Sequence, residues 1–244
     1  MTAYNIIKVN ATKSTNDKVK MLIKSKKINN KDVISAKYQY KGKGQLARRW
    51  FSSYGNNLLC SLYLEFTKDF ISPIYALNFA TSLSVLKTVN FFSKEKCFIK
   101  WPNDILSAQK KISGILIENN IKGDKFNNSI IGIGINVNQT VFRGITNATS
   151  IKSIIGKEIR LEEILDKLIK NIGYYLKILI ARDFDSIMSL YNSRLYGKDY
   201  CKFLLINKTF EGKVLNVNHT GSINVKINSM EAKEYQSNRI KILL

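Results

Sequence analysis

The pattern of apolar and polar positions divides this chain into short elements of strand or helical period. The stretch IIKVNATKSTNDKVKMLIKS changes from a strand-like run into a helix, for which Ser14 or Thr15 supplies the N-cap. The runs DVISAKYQY and NNLLCSLYLEF favour strands. The two candidate caps therefore lie where the first backbone N–H groups of a helix need acceptors.

Two longer helices are predicted from apolar residues at helical spacing. One covers residues 72–92, with Ser72 and Pro73 as its N-cap and first residue, and the other covers residues 161 to about 181. Between the two helices, three compact segments separated by polar turns favour strands. These segments are CFIKWPNDIL, KKISGILIEN and SIIGIGINVN.

The last part of the chain has a different pattern, with several short strands and few helical signals. Turn signals at Glu211-Gly212 and Thr220-Gly221 lie close together, as in a small barrel. We place a domain boundary near Lys198, which divides the chain into residues 1–197 and 198–244. Because no low-complexity linker separates the two parts, the small domain is expected to pack on the large one.

Composition indicates a folded protein with a strong positive charge. Hydrophobic residues make up 45% and charged residues 23% of the 244 positions, which excludes disorder of the whole chain. The formal charge of +21 would attract nucleic acid or an acidic protein. The excess is mostly lysine beside many asparagines and isoleucines, which AT-rich codon usage also produces. Charge alone therefore does not identify the partner.

Cysteine and histidine placement argues against several kinds of site. Cys60, Cys97 and Cys201 are far apart and form no CxxC pair, so neither a zinc site nor a disulfide framework is indicated. The single histidine, His219, lies in a polar, turn-like stretch, which excludes His-based triads. No signal peptide or membrane-length apolar window is present, so a cytoplasmic protein without a membrane partner is expected.

The stretch KYQYKGKGQLARRW is a basic segment with no apolar period. Gly42 and Gly44 permit close backbone approach, and the neighbouring lysine and arginines suit phosphate or carboxylate groups. The spacing differs from the P-loop G-x-x-x-x-G-K-[ST], so a P-loop ATPase is not supported. The segment is either an anion-wrapping loop or a solvated basic loop.

Two further segments place charged groups next to apolar strands. In KWPNDIL, Pro102 begins a turn, after which Asp104 either holds Mg²⁺ with nucleotide oxygens or only ends the strand as an Asx turn. In KKISGILIE, Lys111 shares a strand face with Ser113. Lys111 either neutralises charge on a reacting phosphate or extends to water at the sheet edge.

A pair of glycines marks the segment IIGIGINVN. Gly132 and Gly134 are two residues apart and therefore lie on the same face of one strand. Two missing side chains make a slot, which a flat apolar ligand or a tightly packed helix could fill. Packing alone explains one glycine more easily than two.

Together these segments resemble the biotin protein ligases, which activate biotin with ATP and attach it to a lysine of a carrier protein. The combination of motifs, in this order, is more specific than any one of them, and it spans most of the larger predicted domain. The matching stretches are STN (residues 14–16), YQYKGKGQLARRW (38–50), KWPND (100–104), KKISGILIE (110–118) and GIGINVN (132–138).

The resemblance implies an α+β fold, with a mixed β-sheet catalytic domain like that of class II aminoacyl-tRNA synthetases and biotin ligases, and a small SH3-like C-terminal β-barrel. It implies that biotin attacks the α-phosphate of ATP to give biotinyl-5'-AMP, from which biotin passes to a lysine of a biotin carboxyl carrier protein. Biotin, ATP and Mg²⁺ are the implied ligands, and a homodimer is left open. Such carriers are commonly acidic, which would give the positive charge a role in encounter rate.

The resemblance also implies roles for individual residues. Lys111 and Arg48 are expected to stabilise negative charge, and Asp104 to hold Mg²⁺ or orient the nucleophile. The residues implied to line the biotin site are Ser14, Thr15, Gln39, Gly42, Lys43, Trp50, Lys111, Gly114, Gly132 and Gly134. The residues implied to contact ATP are Lys43, Gly44, Gln45, Arg48, Arg49, Trp50, Asn103 and Asn136.

The chain departs from the family pattern in the basic loop. The family loop often reads Gly-Arg-Gly-Arg with a further glycine, whereas this chain has Lys43, Gln45 and Ala47 at those places. Since Gln45 supplies no charge, weaker retention of the adenylate is expected unless Arg48 or Arg49 compensates. About a dozen residues precede the STN stretch, too few for a helix-turn-helix domain, so neither DNA binding nor repression is expected.

The sequence leaves two rival functions open. A lipoate ligase or octanoyl transferase shares the broad catalytic fold and also acts on carrier lysines, but it lacks the joint spacing of the basic loop, KWPND and KKISGILIE. A non-enzymatic, cationic nucleic-acid-binding protein would use the C-terminal barrel as its surface, although few aromatic residues there alternate with basic ones.

Overall fold

The fold is described from a computed structural model that covers residues 4–66, 75–107, 109–122, 125–228 and 231–244. The strands are β1 (Asn5–Thr12), β2 (Asp32–Gln39), β3 (Asn57–Glu65), β4 (Cys97–Lys100), β5 (Asp104–Ser107), β6 (Lys110–Lys122), β7 (Lys125–Asn136), β8 (Cys201–Leu205), β9 (Lys208–Val217), β10 (Ile223–Ile227), β11 (Lys233–Tyr235) and β12 (Ile240–Ile242). The helices are α1 (Thr15–Lys24), α2 (Ala76–Ser93), α3 (Ile151–Ile155), α4 (Leu161–Ile180) and α5 (Phe184–Ser193). None of these helices has the length and apolar character needed to cross a bilayer.

Internal contacts divide the chain into two compact units. The first unit consists of Met1–Ser72 and Ile112–Lys170, and the second consists of Pro73–Lys111 and Asn171–Leu244. Each unit therefore combines two separate segments of the chain. The division into residues 1–197 and 198–244, with a boundary near Lys198, stays a prediction.

The first unit is built on a mixed sheet, as the resemblance implies. Its strands lie in the order β1-β2-β3-β7-β6, with β1 and β2 parallel and the other neighbours antiparallel. Strand β3 is buried at every position except its last. On its neighbour β7, Gly132 lies opposite Ser61 and Gly134 lies opposite Leu59. Both candidate slot glycines are thus on a central strand.

Helix α1 is fixed to this sheet by apolar packing. Val19 is fully buried in a cluster with Ile34, Tyr63 and Ile130, which come from β2, β3 and β7. Full burial of a side chain of this size contributes roughly 1.5–3 kcal/mol. This packing holds the start of α1, with the STN stretch, against the middle of the sheet.

In the second unit, α2 confirms the predicted helix from residue 76 onward, while Ser72 and Pro73 lie outside the described residues. The helix is buried on most sides, so its polar residues need internal partners. The hydroxyls of Thr81 and Thr88 donate to carbonyl oxygens four residues earlier, at 2.7 and 2.8 Å, and the Asn171 amide donates to the Thr88 hydroxyl at 2.9 Å. The helix therefore carries polar groups without leaving them unsatisfied.

The segment CFIKWPNDIL, predicted as one strand, forms the two strands β4 and β5. They pair as an antiparallel hairpin in which Lys100 lies opposite Asp104. Pro102 is in the turn because it lacks the N–H that a strand ladder requires. Trp101 is buried in the same turn, and its indole N–H donates to the Gly221 carbonyl at 3.0 Å. The turn is thereby held by the C-terminal part of its own unit.

The C-terminal strands form a five-stranded antiparallel sheet in the order β11-β10-β9-β8-β12. Within the described ranges β11 and β12 do not pair, so the small sheet is confirmed but a closed barrel is not. The turn predicted at Glu211-Gly212 is wrong, because both residues lie inside β9. A Cβ at Gly212 would collide with the Lys226 carbonyl, so this glycine serves close strand packing. The turn at Thr220-Gly221 is confirmed.

The predicted helix at residues 161 to about 181 is confirmed as α4, whereas α3 and α5 were not predicted. Both are short and are marked mainly by their caps. The Asp183 side chain accepts a bond from the Ser186 N–H at 3.2 Å, and the Ser150 hydroxyl accepts one from the Ser153 N–H at 3.1 Å. Each of these capping pairs is a local pattern that the sequence itself contains.

The burial of the three cysteines can be tested with a thiol reagent. All are buried, and burial raises the pKa of the Cys60 and Cys201 thiols to about 12 and also raises the pKa of Cys97. Because the thiolate is the reactive form, we expect a disulfide reagent at pH 8 to react more than about a hundredfold more slowly with the native than with the unfolded protein. Rapid labelling of any thiol in the native protein would contradict this burial.

Candidate functional site

A cluster of buried polar side chains lies where α1 begins over β2 and β3. Its members, each no more than 9% exposed, are Ser14, Thr15, Asn16, Gln39 and Ser61. The backbone N–H and the hydroxyl of Thr15 both donate to Gln39 Oε1, at 2.7 and 3.1 Å. Ser14 is the N-cap residue, yet its side chain makes no capping bond. Gln39, from the next strand, therefore provides the acceptor that a capping side chain usually supplies.

The two glycines of β7 admit close neighbours, as their spacing predicts. A Cβ at Gly132 would collide with the Asn16 amide, and one at Gly134 would lie 2.6 Å from Cε2 and 2.7 Å from Cζ2 of Trp50. The Trp50 indole thus packs directly on the β7 backbone at Gly134, and Asn16 packs on it two residues earlier, at Gly132. The requirement for glycine is confirmed, while its use as a biotin slot stays a prediction.

The basic loop closes on itself through backbone bonds. The Trp50 N–H donates to the Gly42 carbonyl at 3.0 Å, and the Gly44 N–H donates to the Arg48 carbonyl at 2.7 Å. A Cβ at Gly42 would lie 2.5 Å from the Trp50 carbonyl oxygen, so this close approach requires glycine. Leu46, at the tip, is 71% exposed and adopts a left-handed φ of 52°. The loop is therefore tightly closed at its base, with an apolar tip in solvent.

The cationic side chains of the loop have different surroundings. Lys43 Nζ lies 2.6 Å from Asp17 Oδ1 in the first turn of α1, an ion pair that ties the loop to the helix. Arg48 and Arg49 have exposed side chains. Of the predicted anion contacts in this loop, the two arginines are thus the more accessible, and Lys43 already has a carboxylate partner.

A groove of about 740 Å³ lies beside this loop in the first unit. Both aromatic or apolar side chains and cationic side chains line it. The first group includes Tyr38, Tyr40, Trp50, Phe51, Val141 and Phe142, and the cations are Lys41, Arg49, Arg143 and Lys152. The segment 139–145 was not predicted as part of a site, because its three apolar residues, Val141, Phe142 and Ile145, form no period or motif.

The two sides of the groove are joined through the half-buried amide of Gln139. Gln139 Oε1 accepts bonds from the Ser53 N–H at 3.0 Å and from Asn57 Nδ2 at 2.6 Å. Asn57 is fully buried and also accepts a bond from the Val137 N–H at 3.1 Å. This network fixes the chain that follows Trp50 to the chain that follows β7.

The second unit contains a cluster of charges at the starts of β5 and β6. Asp104 Oδ1 lies 2.6 Å from Lys111 Nζ, and Asp104 Oδ2 lies 3.9 Å from Lys100 Nζ. The Asp104 side chain is only 16% exposed, so its pairing with Lys111 is stronger than that of a surface pair. One carboxylate flanked by two ammonium groups leaves a net positive charge for an anionic ligand.

The remaining predicted residues have varied surroundings. The Ser113 hydroxyl donates to the Gly134 carbonyl at 2.7 Å, and Gly114 lies opposite Gly134 in the β6–β7 ladder. Asn136 is buried and donates to the Thr149 carbonyl at 3.0 Å, a bond that fixes the chain after β7. Asn103 lies in the turn between β4 and β5. Asn136 therefore has a structural partner as well as its predicted ligand role.

Comparison with known proteins gives a consistent result. Residues 9–136 match the Biotin/lipoate A/B protein ligase family. The bifunctional ligase/repressor BirA of Bacillus subtilis is 29% identical over 213 residues, which are 84% of this chain and 64% of that protein. The biotin–[acetyl-CoA-carboxylase] ligase of Paracoccus denitrificans is 28% identical over 55% of this chain and 58% of its own length. This chain therefore spans less than two thirds of either relative.

Solved structures extend the similarity to almost the whole chain. The biotin protein ligase from Aquifex aeolicus, in complex with biotin and ATP, superposes with a TM-score of 0.81 at 28% identity and covers 98% of each chain. The fold similarity thus includes the C-terminal sheet as well as the part that carries the matched motifs.

Proposed function

Because this chain belongs to the Biotin/lipoate A/B protein ligase family, we propose that it is a biotin protein ligase. It activates biotin with ATP to biotinyl-5'-AMP and transfers biotin to a specific lysine of a biotin carboxyl carrier protein. The observation that carries the proposal is the buried polar cluster around Thr15 and Gln39, next to the indole of Trp50 and the glycines of β7. An uncharged, hydrogen-bonding cluster beside a flat apolar wall suits the fused rings of biotin.

The polarity of this cluster favours biotin over lipoate. The ureido group of biotin has two N–H donors and one carbonyl acceptor, which hydroxyl and amide groups can satisfy. The dithiolane ring of lipoate has neither and would form no hydrogen bond with the groups around Thr15. Ser14, Thr15 and Gln39 are the proposed ureido contacts. Gly114, Gly132 and Gly134 are proposed to border the ring system, with Gly132 and Gly134 letting Asn16 and the Trp50 indole lie close to β7.

The groove beside the basic loop is the proposed ATP site. Its aromatic side chains suit the adenine ring and its cationic side chains suit the phosphates. Arg48, Arg49 and the Gly42–Gly44 backbone belong to the closing loop in this proposal, as the resemblance implies. Arg143 and Phe142 extend the ATP contacts beyond the residues that the sequence motifs indicate.

Replacing Arg143 with alanine is expected to raise the KM for ATP by about tenfold, because one charge-assisted phosphate contact is lost. Biotin affinity should be unchanged, since Arg143 lines the groove and not the Thr15 cluster. Steady-state kinetics with each substrate varied in turn would measure both. The matched control is Arg160→Ala, another arginine of the first unit that does not line this groove. An unchanged KM for ATP would remove the groove from the proposal.

Both chemical steps develop negative charge on phosphoryl or acyl oxygens, so positioned cations are the main catalytic need. Lys111 and Arg48 are proposed for this role, and Asp104 holds the Lys111 ammonium in place through the 2.6 Å ion pair. Within the described ranges no group of three His, Cys, Asp or Glu side chains surrounds Asp104. We therefore propose that Mg²⁺ enters with ATP as the Mg·ATP substrate, and Asp104 as a direct ligand stays a prediction.

The same proposal includes the C-terminal sheet, the cell compartment, the absence of repression, the oligomeric state and the partner. The C-terminal sheet is proposed to serve as the SH3-like domain of the family, and the cell compartment is proposed to be the cytoplasm. Ligase activity without repression or DNA binding is proposed, and a homodimer stays an untested prediction. The partner is an acidic carrier domain of a carboxylase, which the positive net charge would attract.

Transfer to a carrier tests the full activity. The protein is incubated with biotin, Mg·ATP and a biotin carboxyl carrier domain, and labelling is measured by mass spectrometry. The expected result is one biotin per carrier, and none on a carrier whose acceptor lysine is replaced by arginine. Labelling with lipoate in place of biotin would assign the chain to the sister activity of its family.

A further inference from the structure

A hydrogen-bonded chain with a fixed direction begins at Glu118 and ends at the Thr15 hydroxyl. Asn16 Nδ2 donates to Glu118 Oε2 at 2.8 Å and to the Leu116 carbonyl at 3.3 Å. A carboxylate and a backbone carbonyl can only accept, so these two bonds fix which end of the Asn16 amide is nitrogen. Lys20 pairs with the other oxygen of Glu118, which holds that carboxylate in place.

The fixed amide then decides where the Ser61 proton goes. Asn16 Oδ1 lies 2.5 Å from Ser61 Oγ and, as a carbonyl oxygen, can only accept. Ser61 has a single hydroxyl proton, which this bond uses. Thr15 Oγ1, which is 2.7 Å away, is the other acceptor that Ser61 faces, and Ser61 therefore has no proton left to donate to it.

The proton of Thr15 is consequently used inside the cluster. The acceptor of this proton is Gln39 Oε1 at 3.1 Å, whose position is set by a bond from the Thr15 backbone N–H. With its proton on that bond, the Thr15 hydroxyl has none left for a ligand. It presents lone pairs only, and so it selects a ligand group that donates.

We propose that Glu118 is a positioning residue that sets the hydrogen-bond polarity of the biotin site through Asn16, Ser61 and Thr15. This inference rests on the proposed function, in which Thr15 contacts the ureido ring. Glu118 itself does not touch the ligand in this account. Its effect is to make Thr15 an acceptor for a ureido N–H, and this polarity discriminates against rings that carry no donor.

Replacing Glu118 with glutamine tests this hydrogen-bond relay, which runs from Glu118 through Asn16 and Ser61 to Thr15, with little change in shape. A glutamine can donate as well as accept, so the Asn16 amide can turn over and donate to Ser61, which then directs its own proton at Thr15. The lone pairs of Thr15 are partly used, and biotin binding should weaken by about tenfold, the loss expected for one buried hydrogen bond. Isothermal titration of biotin gives the dissociation constant, and thermal unfolding reports on the fold.

A double-mutant cycle separates positioning from general structural support. In a Thr15→Val background the hydroxyl is absent, so Glu118→Gln should change biotin affinity by less than about twofold. Ser61→Ala should likewise cancel the effect of Glu118→Gln, which keeps the relay testable if one combination is unstable. Glu162→Gln is the matched control, because it breaks another Lys–Glu pair of the first unit, Lys8–Glu162 at 3.0 Å, away from the relay. It should leave biotin affinity unchanged.

The binding measurements distinguish failure of the relay from failure of the proposed function. Biotin binding by the wild type, weakened by Glu118→Gln only when Thr15 and Ser61 are present, supports the relay. An unchanged affinity, or an equal loss in every background, overturns it and leaves the proposed function intact. No biotin binding by the wild type overturns the proposed function and the relay together.

Discussion

Replacing Gly134 with valine is expected to abolish detectable biotin binding in a protein that still folds. The Cβ atom of the valine would lie 2.6 Å from Cε2 of the Trp50 indole, so the ring must leave the face of β7. Trp50 also lines the groove proposed for ATP, so its displacement changes both proposed binding surfaces. Overpacking of this kind destabilises a protein by about 1–3 kcal/mol, which a well-packed sheet can tolerate.

Isothermal titration with biotin, together with thermal unfolding, measures this prediction. Ile133→Val is the matched control, because it changes the neighbouring residue on the opposite face of β7 and should lower stability by only about 0.5–1.5 kcal/mol. Its biotin affinity should equal that of the wild type. If Gly134→Val binds biotin as tightly as the wild type, the glycine pair serves packing alone and the proposed biotin slot is wrong.

Replacing Lys111 with alanine is expected to lower the rate of biotin adenylation by about 10²- to 10³-fold, the usual loss for one positioned charge stabiliser. The ammonium of Lys111 is held 2.6 Å from Asp104 and is only partly exposed, so it is oriented before any ligand arrives. Removal of the ammonium leaves the Asp104 carboxylate less well compensated beside an anionic substrate. Loss of a cation and gain of an uncompensated anion both raise the barrier.

Single-turnover formation of biotinyl-5'-AMP, measured by rapid quench, tests this role separately from product release. Lys110→Ala is the control, since Lys110 is the preceding residue of the same strand and its side chain is exposed. It should retain nearly full activity. A folded Lys111→Ala variant that loses less than tenfold would remove Lys111 from the catalytic role.

Local patterns in the sequence located most of the elements. Helix α4 and strand β2 were found because their apolar residues repeat with a regular period, and strands β3 and β7 because they are compact, largely apolar runs. Helix α5, with ten residues, was missed because its main signal is a single capping pair at Asp183 and Ser186. Short helices carry little periodicity, and their stability depends on packing that the sequence does not display.

Glycines were harder to interpret than periodic elements, because a glycine can serve a turn or a close contact. Gly212 was assigned to a turn, although it lies inside β9 against the backbone of β10. Gly132 and Gly134 were correctly assigned to close approach from their spacing. That Trp50 and Asn16 are the groups against them depends on how the loop and α1 fold over the sheet, which no local pattern specifies.

The polar groups of the candidate site show the same limit. The motifs identified Thr15, Gln39, Asp104 and Lys111 as residues of interest, but not their mutual contacts. The ion pair between Lys43 and Asp17 joins residues that are 26 positions apart. The groove segment 139–145 has no motif at all, so only the folded chain brings it beside Trp50.

The most direct test of the proposed activity is biotin-dependent exchange of labelled pyrophosphate into ATP, with lipoate and no-acid controls. Exchange reports the adenylation half-reaction without requiring the carrier protein. We predict exchange with Mg·ATP and biotin, and none with lipoate or without an acid. No exchange with biotin, from folded protein with Mg²⁺ present, would contradict the proposal that this chain is a biotin protein ligase.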